Sequence, residues 1–576
     1  MGNISVVCLV DSAETSEYSI LDDAIWCALK HFGVPFEVFD LSKTDISHET
    51  LSSHSLIIIA QDGLGAALSI EEAENIADSV KEGTGLVSFD GRVDEYRDPL
   101  KKMLGISTSP EPTHQESLMV SAVRTVNNTH FITYTREIGS VLKFKKPVLM
   151  GNVTEVRKNS QILLVGAFNG RPVVFTTTFG EGKAVIFTLS LKVWLPEYLG
   201  HAQGLDDVFW KSLVWAAKKP FVMFAIPPFV TIRIDDCSGA NDHFGYIDIL
   251  NKHNYIPNIG LFTENITEAD AKVIKEKYDA GLAEFSPHAL TTHKLIYFDP
   301  KIPEHDGGKE RTESELKKMF KRLDEQFTSW GIKPSKVLNY HWAELGKNAL
   351  PFLKKRGITF LHGPAWNFGE AWNAPHEDLK IKPYGMIGKM GGYFYGKHPQ
   401  DPDFYIFMAF PSGYPLTDFL GGGIVKSNSI EEAARIASHT IKLGLDSLFF
   451  GCPLTHEYLI SCLTSEEFDR LLTIVDKLTE RYHKIFKGLD YIGEYLKNRD
   501  QCSISEVKYD KATNKIECII KGKSTMPLYL YVYREKGSSV EYRLQEIPSF
   551  EGLLKITFQV EGIFIPFDST MSKELH

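Results

Sequence analysis

The run of residues 228–237 constrains the fold of this 576-residue chain more than any other segment. It reads Pro-Phe-Val-Thr-Ile-Arg-Ile-Asp-Asp-Cys, an apolar, β-branched stretch that ends in two adjacent carboxylates, Asp235 and Asp236. Such runs are typical of strands that are buried on both faces of a parallel sheet. The sequence therefore predicts an interior strand that delivers two acids to the end of a sheet, where parallel α/β folds place their functional groups.

The charge of the chain excludes some classes of partner. There are 63 Lys and Arg against 74 Asp and Glu, so the formal net charge is −11 and the isoelectric point is near 6.0. A nucleic-acid partner would require a basic face, and docking on anionic membrane would require the same. We therefore expect neither. The length predicts two to four domains, because a single core rarely serves so long a chain.

The cysteines and the first residues bear on the compartment. The seven cysteines contain no Cys-x-x-Cys pair, which favours reduced thiols in a reducing compartment. Residues 1–10 lack the basic region and cleavage site of a signal peptide and indicate a first strand instead. No stretch approaches the roughly 20 apolar residues that a membrane-spanning helix needs. The sequence thus predicts a cytoplasmic protein that does not bind membranes.

Strands and helices alternate over residues 1–220, which favours a parallel sheet covered by helices on both faces. Strands are predicted at 4–10, 36–39, 55–60, 85–89 and 184–189. Helices are predicted at 18–32, 70–82 and 205–217. The more strand-like stretch 118–178 looks like an insertion in this domain.

Two segments of this domain carry a family resemblance. Residues 180–187 read Gly-Glu-Gly-Lys-Ala-Val-Ile-Phe, and residues 200–210 begin Gly-His-Ala-Gln-Gly-Leu-Asp-Asp. With the strand order, they resemble the class I glutamine amidotransferase-like superfamily, especially its trehalose-utilisation-like and β-galactosidase trimerisation branches. The resemblance implies a flavodoxin-like parallel-sheet domain and a homo-oligomer formed through it. Residues 180–182 also suit a plain hairpin turn.

The amidotransferase activity of that superfamily needs a cysteine on a tight turn after a strand. Here the apolar stretch 56–60 is followed by Gln61, Asp62 and Gly63, and no cysteine is present. The resemblance therefore implies an accessory or oligomerisation domain without catalysis of its own.

A proline-rich boundary at 218–228 precedes a second alternating region, residues 225–500. Strands are predicted at 229–235, 258–263, 283–286, 336–341, 359–361, 404–409 and 447–450, with a long final helix at 465–498. Seven strands with helical crossovers predict a (β/α)7 barrel-like domain, which carries its chemistry at the carboxyl ends of the strands. Residues 501–576 alternate apolar and polar residues and predict a small antiparallel β-sandwich-like domain, either a packing module or a carbohydrate-binding module.

Candidate functional residues lie at three predicted strand ends. Asp235 and Asp236 can divide the work, one as a metal ligand and the other facing a reacting water, although one Asp could instead cap a helix. His288 and His293 follow the next such strand, and imidazole suits zinc. His456 follows an apolar stretch and could protonate a leaving group, or it could form a surface pair with its neighbouring glutamate.

These segments, in this order, resemble the polysaccharide deacetylases of the NodB-homology carbohydrate esterases, over residues 225–490. The resemblance implies a metal-dependent hydrolase that deacetylates an N-acyl sugar or related carbohydrate amide. It assigns Asp235 as the base and His456 as the acid. The ligands of a divalent metal, zinc by this resemblance, would be Asp236, His288 and His293.

The chain departs from that family in three places. Its histidines are 293 − 288 = 5 residues apart, whereas the family has four. The third motif of the family carries an arginine that the stretch 337–344 lacks, so Arg233 becomes the candidate for a positive charge beside the base. His341 and Trp342 would then face the substrate. The Asp-x-x-Asp-Trp motif of the family is also not evident, and an aromatic loop at Trp366 stands in a similar position, where it would either stack on a sugar ring or be buried in the core of the loop.

Two other functions remain compatible with the sequence. One is a carbohydrate-binding homologue that has lost its chemistry. The other is a metal-independent glycoside hydrolase that uses carboxylates such as Asp235 and Glu284. That class needs two carboxyl groups roughly 5 or 6.5–9.5 Å apart.

Overall fold

The computed structural model of the chain describes residues 2–108, 118–240, 242–299, 308–370, 379, 381, 384, 391–411, 418–421, 426 and 428–567. The chain divides into two compact units. Unit 1 consists of Met1–Ala225 together with Gln501–His576, and unit 2 consists of Ile226–Asp500. Residues from the first and the last predicted domains thus lie together in unit 1.

The strands of the first half of the chain are β1 Gly2–Asn3, β2 Val6–Val10, β3 Phe36–Asp40, β4 Leu56–Ile59, β5 Gly85–Ser88, β6 Ile106–Thr108, β7 Met119–Thr125, β8 Val141–Leu149, β9 Val153–Val156, β10 Gln161–Gly166, β11 Pro172–Phe179, β12 Gly182–Phe187, β13 Phe221–Met223, β14 Phe229–Val230, β15 Ile232–Cys237, β16 Pro257–Phe262 and β17 Glu284–Ala289. Those of the second half are β18 Phe298–Asp299, β19 Lys309–Glu310, β20 Val337–Leu338, β21 Phe360–His362, β22 Gly392–His398, β23 Asp401–Phe410, β24 Leu454–His456, β25 Ile485–Phe486, β26 Ser503–Asp510, β27 Lys515–Ser524, β28 Leu528–Lys536, β29 Ser539–Ile547, β30 Phe550–Gln559 and β31 Ile565–Pro566.

The α-helices are α1 Thr15–Tyr18, α2 Cys27–His31, α3 His48–Ser52, α4 Leu64–Ala67, α5 Ile70–Lys81, α6 Leu100–Leu104, α7 Asp206–Ala216, α8 Tyr246–Lys252, α9 Glu268–Asp279, α10 Glu313–Ser329, α11 Leu350–Lys355, α12 Ile430–Asp446, α13 Glu457–Ile460, α14 Ser465–Leu478 and α15 Leu489–Asp500. A π-helical segment, Asp22–Trp26, leads into α2, so the predicted helix 18–32 is divided into short pieces. No helix among the described residues is both long and apolar enough to cross a membrane.

Unit 1 is built on a nine-stranded sheet in the order β3-β2-β4-β5-β12-β11-β10-β7-β8. The first five strands are parallel, and their order is that of flavodoxin-like sheets. Strands β11, β10, β7 and β8 extend the sheet in antiparallel fashion, and they come largely from the predicted insertion. Strands β2 and β4 are buried along their whole length, as continuous apolar runs in a covered parallel sheet should be.

The C-terminal strands belong to unit 1 because they pair with its N-terminal segment. One four-stranded sheet has the order β1-β26-β27-β30, and another has the order β13-β28-β29-β31. Both sheets are antiparallel, as the alternation of residues 501–576 predicts. Each therefore contains one strand from before residue 225 and the remaining strands from after residue 500.

Unit 2 contains a parallel sheet in the order β17-β16-β15-β24, a mixed sheet in the order β20-β21-β23-β22, and the parallel pair β14-β25. Its apolar core includes Ile232 and Ile234 of β15, which alternate with polar residues along the strand. Over the part of the chain that the structure describes, these sheets do not close into a barrel. The predicted (β/α)7 barrel is thus seen only as a mixed α/β unit with parallel strands.

Two element predictions in unit 2 are wrong. The last strand of the parallel sheet is β24, a few residues beyond the predicted 447–450, because α12 runs to Asp446 and Leu448 turns the chain with φ of 49°. The predicted helix 465–498 is two helices, α14 and α15, with β25 between them. The side chain of Glu284 accepts from the backbone N–H of Asp490 at 3.1 Å, which caps the start of α15.

Candidate metal centre

A β-bulge shapes the end of β15. Ile234 pairs with Ile259 and Cys237 pairs with Leu261, so three steps on β15 match two on β16. Asp236 has a φ of 58°, in the left-handed region that non-glycine residues seldom adopt. Regular alternation would turn the two aspartates to opposite faces, but an extra residue re-aims a side chain. The bulge explains why Asp235 and Asp236 both contact groups from the neighbouring strand ends.

Asp236, His288 and His341 bring three ligand atoms together. The distances are 3.1 Å from Asp236 Oδ1 to His288 Nε2, 3.0 Å from Asp236 Oδ1 to His341 Nδ1, and 2.9 Å between the two nitrogens. His288 and His341 are 3% and 6% exposed. Among the described residues, this is the group of His, Cys, Asp and Glu side chains that could hold a metal ion.

The triad fits a divalent cation by its chemistry as well as by its spacing. Oδ1 of Asp236 is buried and makes no hydrogen bond within the described structure, although two ring nitrogens lie about 3 Å away. Metal–nitrogen and metal–oxygen bonds of about 2.0–2.2 Å bring neighbouring ligand atoms to about this separation. The spacing and the donor set of these three atoms therefore fit a divalent cation.

Asn339, directly after β20, holds His288 in place. The backbone oxygen of Asn339 is 2.8 Å from His288 Nδ1, and its backbone N–H donates to Ser286 Oγ at 2.9 Å. A proton on Nδ1 leaves the Nε2 lone pair directed at the triad, as metal-binding histidines require. Gly260 makes room, because a Cβ atom there would lie 2.9 Å from Asn339 Nδ2 and 3.0 Å from His288 Nδ1.

Asp235 is paired with Arg233, which lies two residues earlier on the same face of β15. Arg233 Nε donates to Oδ1 at 2.7 Å, Arg233 Nη2 donates to Oδ2 at 2.8 Å, and Asn339 Nδ2 donates to Oδ1 at 2.8 Å. Burial alone would raise the pKa of Asp235, but the charge and hydrogen bonds of Arg233 outweigh it and hold that pKa well below its usual range. The carboxylate is thus ionised, and Oδ2 keeps a free lone pair.

His456 forms a dyad with Asp418 beside the triad. His456 Nδ1 lies 2.6 Å from Asp418 Oδ2, and Asp418 Oδ1 accepts from Thr455 Oγ1 at 2.6 Å and from the backbone N–H of Leu420 at 3.0 Å. His456 Nε2 is 4.0 Å from Asp236 Oδ2. Burial lowers the pKa of His456, but the hydrogen bond to Asp418 and the nearby carboxylates raise it to about 9. His456 therefore carries a proton near neutral pH.

Glu457 anchors the loop that follows the two aspartates. Its carboxylate accepts from the backbone N–H groups of Ser238 at 2.6 Å, Gly239 at 3.2 Å and Ala240 at 3.2 Å, and from Tyr246 Oη at 2.9 Å. Glu457 directly follows His456, so one short segment carries the dyad histidine and fixes the loop beside the triad.

Left-handed backbone concentrates around this site. Asp236, Ala240, His243, Phe244 and Trp342 all have φ between 49° and 66°. Such conformations cost about 1–3 kcal/mol each and cluster at functional sites, where the surrounding structure enforces them. The triad and the loop after β15 therefore form a strained region, which supports a functional role for it.

The structure does not bring every predicted site residue together. His293 is exposed in a tight turn from Thr291 to Lys294 that leads the chain away from β17, so its predicted place in the metal site is not realised. His341, predicted to face the substrate, instead supplies the third candidate ligand atom. Trp366 is 5% exposed, and its backbone oxygen accepts from His398 Nε2 at 3.1 Å. Trp342 lies beside the triad, with its ring centroid 4.4 Å from that of His341.

Asp418 and Asn339 were not among the residues predicted from the sequence. Asp418 lies outside any predicted strand, and Asn339 is a single polar residue in a predicted strand. Only the strand-end position of Asn339, shared with the other candidates, could have drawn attention to it.

No known protein-family model matches the chain, and no curated protein matches it. Solved structures resemble it only distantly. A candidate glycoside hydrolase/deacetylase from Parabacteroides distasonis is 13% identical over 56% of this chain and 86% of that protein, with a TM-score of 0.32. A cytoplasmic protein from Salmonella typhimurium is 15% identical over 38% of this chain and 100% of its own, with a TM-score of 0.27. A β-galactosidase from Halorubrum lacusprofundi is 15% identical over 38% of this chain and 33% of its own, with a TM-score of 0.25. These similarities are too low to assign a function.

Proposed function

We propose that the protein is a metal-dependent hydrolase that removes the acyl group from an N-acyl sugar or a related carbohydrate amide. The observation that carries the proposal is the buried triangle of Asp236 Oδ1, His288 Nε2 and His341 Nδ1, with sides of 2.9–3.1 Å. Two imidazoles and one carboxylate, supplied by three strand ends, are a common ligand set for a catalytic divalent cation. A bound cation of this class polarises an acyl oxygen and lowers the pKa of a bound water.

The groups around the triad can move the protons that amide hydrolysis requires. Asp235 is ionised and keeps a free lone pair on Oδ2, so it can take the proton of an attacking water. His456 carries a proton, and Asp418 holds its Nδ1 so that Nε2 faces the triad. Nε2 can pass its proton to the leaving amine, which would otherwise depart as an unstable anion. One water is consumed, and an amine and a carboxylate are formed.

The metal-independent glycoside hydrolase reading has less support. Glu284 begins β17, whereas His288, four residues further on, lies at the site. Glu284 is also engaged at the start of α15. A non-catalytic homologue that still binds carbohydrate remains the alternative, and turnover distinguishes it from the hydrolase.

Other parts of the proposal extend beyond this site. Zinc is our choice of metal, because imidazole and carboxylate ligands suit it. We propose carbohydrate as the partner, without nucleic acid or membrane. A homo-oligomer formed through the N-terminal part of unit 1 and a cytoplasmic location both stay predictions.

Metal analysis of four variants tests the proposal. Asp236→Ala, His288→Ala and His341→Ala should each lose bound zinc in equilibrium dialysis, because each removes one ligand. His293→Ala is the matched control and should keep the wild-type zinc content. Stoichiometric zinc in the first three variants would rule out the site. With zinc bound, the wild type should release acetate from acetylated chito-oligosaccharides, and zinc binding without release would favour the non-catalytic homologue.

A further inference from the structure

A buried, charged histidine lies in unit 1, in the turn that precedes α7. His201 Nδ1 is 2.9 Å from Asp206 Oδ1, and His201 Nε2 is 3.0 Å from the backbone oxygen of Ala24. A carboxylate and a carbonyl oxygen only accept hydrogen bonds, so both ring nitrogens must donate. The imidazole is therefore doubly protonated and positively charged, although His201 is only 5% exposed.

Two irregular pieces of backbone hold the pair of His201 and Asp206. Ala202 has a φ of 56°, in the left-handed region, and its backbone N–H donates to Asp206 Oδ2 at 2.7 Å. Ala24 lies in the π-helical segment Asp22–Trp26. Left-handed residues and π-helical turns both concentrate at functional sites. The proposed hydrolysis in unit 2 uses none of these residues, so this second strained region calls for a chemistry of its own.

Cys27 is the reactive side chain that His201 contacts. It directly follows the π-helical segment and is partly exposed. Burial lowers the pKa of His201, but the charges of Cys27 and Asp206 and the hydrogen bonds to both side chains outweigh it and raise that pKa to about 10. An imidazolium beside a cysteine favours the thiolate, which is the nucleophilic form. The three side chains thus supply a nucleophile, a cation beside it and a carboxylate that orients the cation.

Cys462 has a similar setting without the imidazolium. Each thiol lies near the backbone oxygen of the residue four positions earlier, 3.1 Å from Asp23 for Cys27 and 3.3 Å from Tyr458 for Cys462. Cys462 is exposed, whereas Cys27 is only partly so. Within the described part of the chain, Cys462 forms no hydrogen bond with a histidine. Exposure therefore favours reaction at Cys462, and only the neighbouring charge favours reaction at Cys27.

We propose that Cys27 is a site of reversible modification by low-molecular-weight disulfides, and that His201 and Asp206 are its positioning residues. The sulfur of Cys27 attacks one sulfur of the disulfide. A new S–S bond forms, the old S–S bond breaks, and the released thiolate takes a proton from water. The disulfide is reduced as Cys27 is oxidised, and a second thiol reverses the exchange. The site is separate from the proposed metal centre.

Competition between two thiols of one molecule tests the proposal. The full chain is treated with glutathione disulfide at pH 7, and the modification of each cysteine is followed by peptide mass spectrometry. Cys27 should react about tenfold faster than Cys462, because an unperturbed thiol is only a few per cent thiolate at this pH. In urea that unfolds the chain, the two rates should agree within about twofold, since His201 no longer adjoins Cys27.

A variant shows whether His201 causes the difference. In His201→Gln, which removes the charge, Cys27 should react more slowly than the more exposed Cys462. His54→Gln is the matched control: it alters another buried histidine of unit 1, whose Nδ1 is 2.7 Å from the backbone oxygen of Thr50, and it should keep the wild-type ratio of rates.

Two results would overturn the proposal. One is a folded wild type in which Cys27 reacts no faster than Cys462. The other is a folded His201→Gln variant with the same ratio of rates as the wild type. The comparison of the folded and unfolded wild type requires no variant, so it decides the matter even if His201→Gln does not fold.

Discussion

At the scale of single residues, the site depends on close contacts that leave no space for a larger side chain beside the candidate ligands. Gly260 lies where β16 passes both Asn339 and His288, and the space for its missing Cβ is already occupied. Asn339 in turn joins the proposed base Asp235 and the candidate ligand His288, since its side chain donates to Asp235 and its backbone oxygen accepts from His288. A change at Gly260 should therefore reach the metal site without touching a ligand.

We predict that Gly260→Ala lowers zinc affinity by about 10–100-fold, because displacing a group that orients a ligand typically costs this much. Calorimetric titration of the metal-free protein with zinc measures it. Gly493→Ala is the control, since its Cβ would meet the ring of Phe407 at 3.0 Å. It should cost about 1–3 kcal/mol of stability and leave zinc affinity unchanged. Equal zinc affinity in the wild type and Gly260→Ala would contradict the prediction.

The sequence predicts the site at this scale only in part. Asp235, Asp236, His288 and His456 can be chosen because each lies at the end of an apolar run, and the structure brings these four together. The third ligand cannot be chosen from spacing, since His293 is near His288 in sequence whereas His341 comes from another strand. The bulge at Asp236 cannot be predicted either, because no sequence pattern marks an aspartate whose backbone adopts the left-handed conformation.

At the scale of elements, the loop after β15 is held from two sides. Glu457 accepts from three of its backbone N–H groups. On the other side, His243 Nδ1 lies 2.7 Å from Asp270 Oδ1, near the start of α9. The backbone of the loop is strained, but these contacts hold it, and the loop in turn fixes the positions of the triad residues.

Glu457→Ala should cost about 3 kcal/mol, because it leaves several buried donors without an acceptor. For a unit of this size, the loss corresponds to a fall of about 6–12 °C in the melting temperature of unit 2. Differential scanning calorimetry measures it. The melting temperature of Glu457→Gln should fall by less, because glutamine keeps one acceptor oxygen. If Glu457→Ala had the melting temperature of the wild type, the loop would not need the hydrogen bonds of Glu457.

The start of α15 should make stability depend on pH. Burial, together with the negative charge of Asp490, raises the pKa of Glu284 well above its usual value. The folded state therefore binds the proton more tightly than the unfolded chain does. The contribution of Glu284 to the free energy of unfolding is present below its usual pKa of about 4.3. It is lost as the pH rises toward the raised pKa of the folded state.

We predict that the wild type loses free energy of unfolding relative to Glu284→Gln as pH rises from about 4 to 8. Glutamine keeps an acceptor for the N–H of Asp490 but cannot ionise. Urea unfolding of both proteins across this range measures the difference. Parallel curves would mean that Glu284 does not titrate on unfolding.

Elements were predictable where the apolar pattern is strong. The parallel strands of unit 1 and the antiparallel strands after residue 500 appear close to their predicted positions. The last strand of the parallel sheet in unit 2 could not be predicted from the apolar pattern. The apolar stretch 447–450 is a buried turn, whereas the strand itself, β24, consists of only three residues. Periodicity alone does not distinguish such a buried turn from a short strand.

At the scale of the whole molecule, the two ends of the chain share one unit. Strands β1 and β13 pair with β26 and β28, so neither sheet exists without residues beyond 500. Tyr531 and Tyr533 of β28 and Tyr542 of its neighbour β29 are buried. The sequence indicates a change of character at residue 502, but long-range pairing leaves no local signal, so a separate domain was expected there.

We predict that a chain ending at Asp500 loses the unfolding transition of unit 1, because β1 and β13 lose their partners. The transition of unit 2 should persist, since its apolar core lies within residues 226–500. Differential scanning calorimetry of the shortened and the full chain measures both unfolding transitions. Retention of both transitions at their original temperatures would show that residues 501–576 are dispensable for unit 1.

The pairing of β1 with β26 and of β13 with β28 has a consequence for synthesis in the cell. Residues 226–500 leave the ribosome between the two halves of unit 1, which takes about 14–55 s at about 5–20 residues per second. During that time the edges of β1 and β13 have no partner, and unpaired edges promote aggregation. Unit 2 can fold while unit 1 lacks these partners, so the unit that carries the candidate metal centre would mature before the segment of unit 1 that precedes it in the chain.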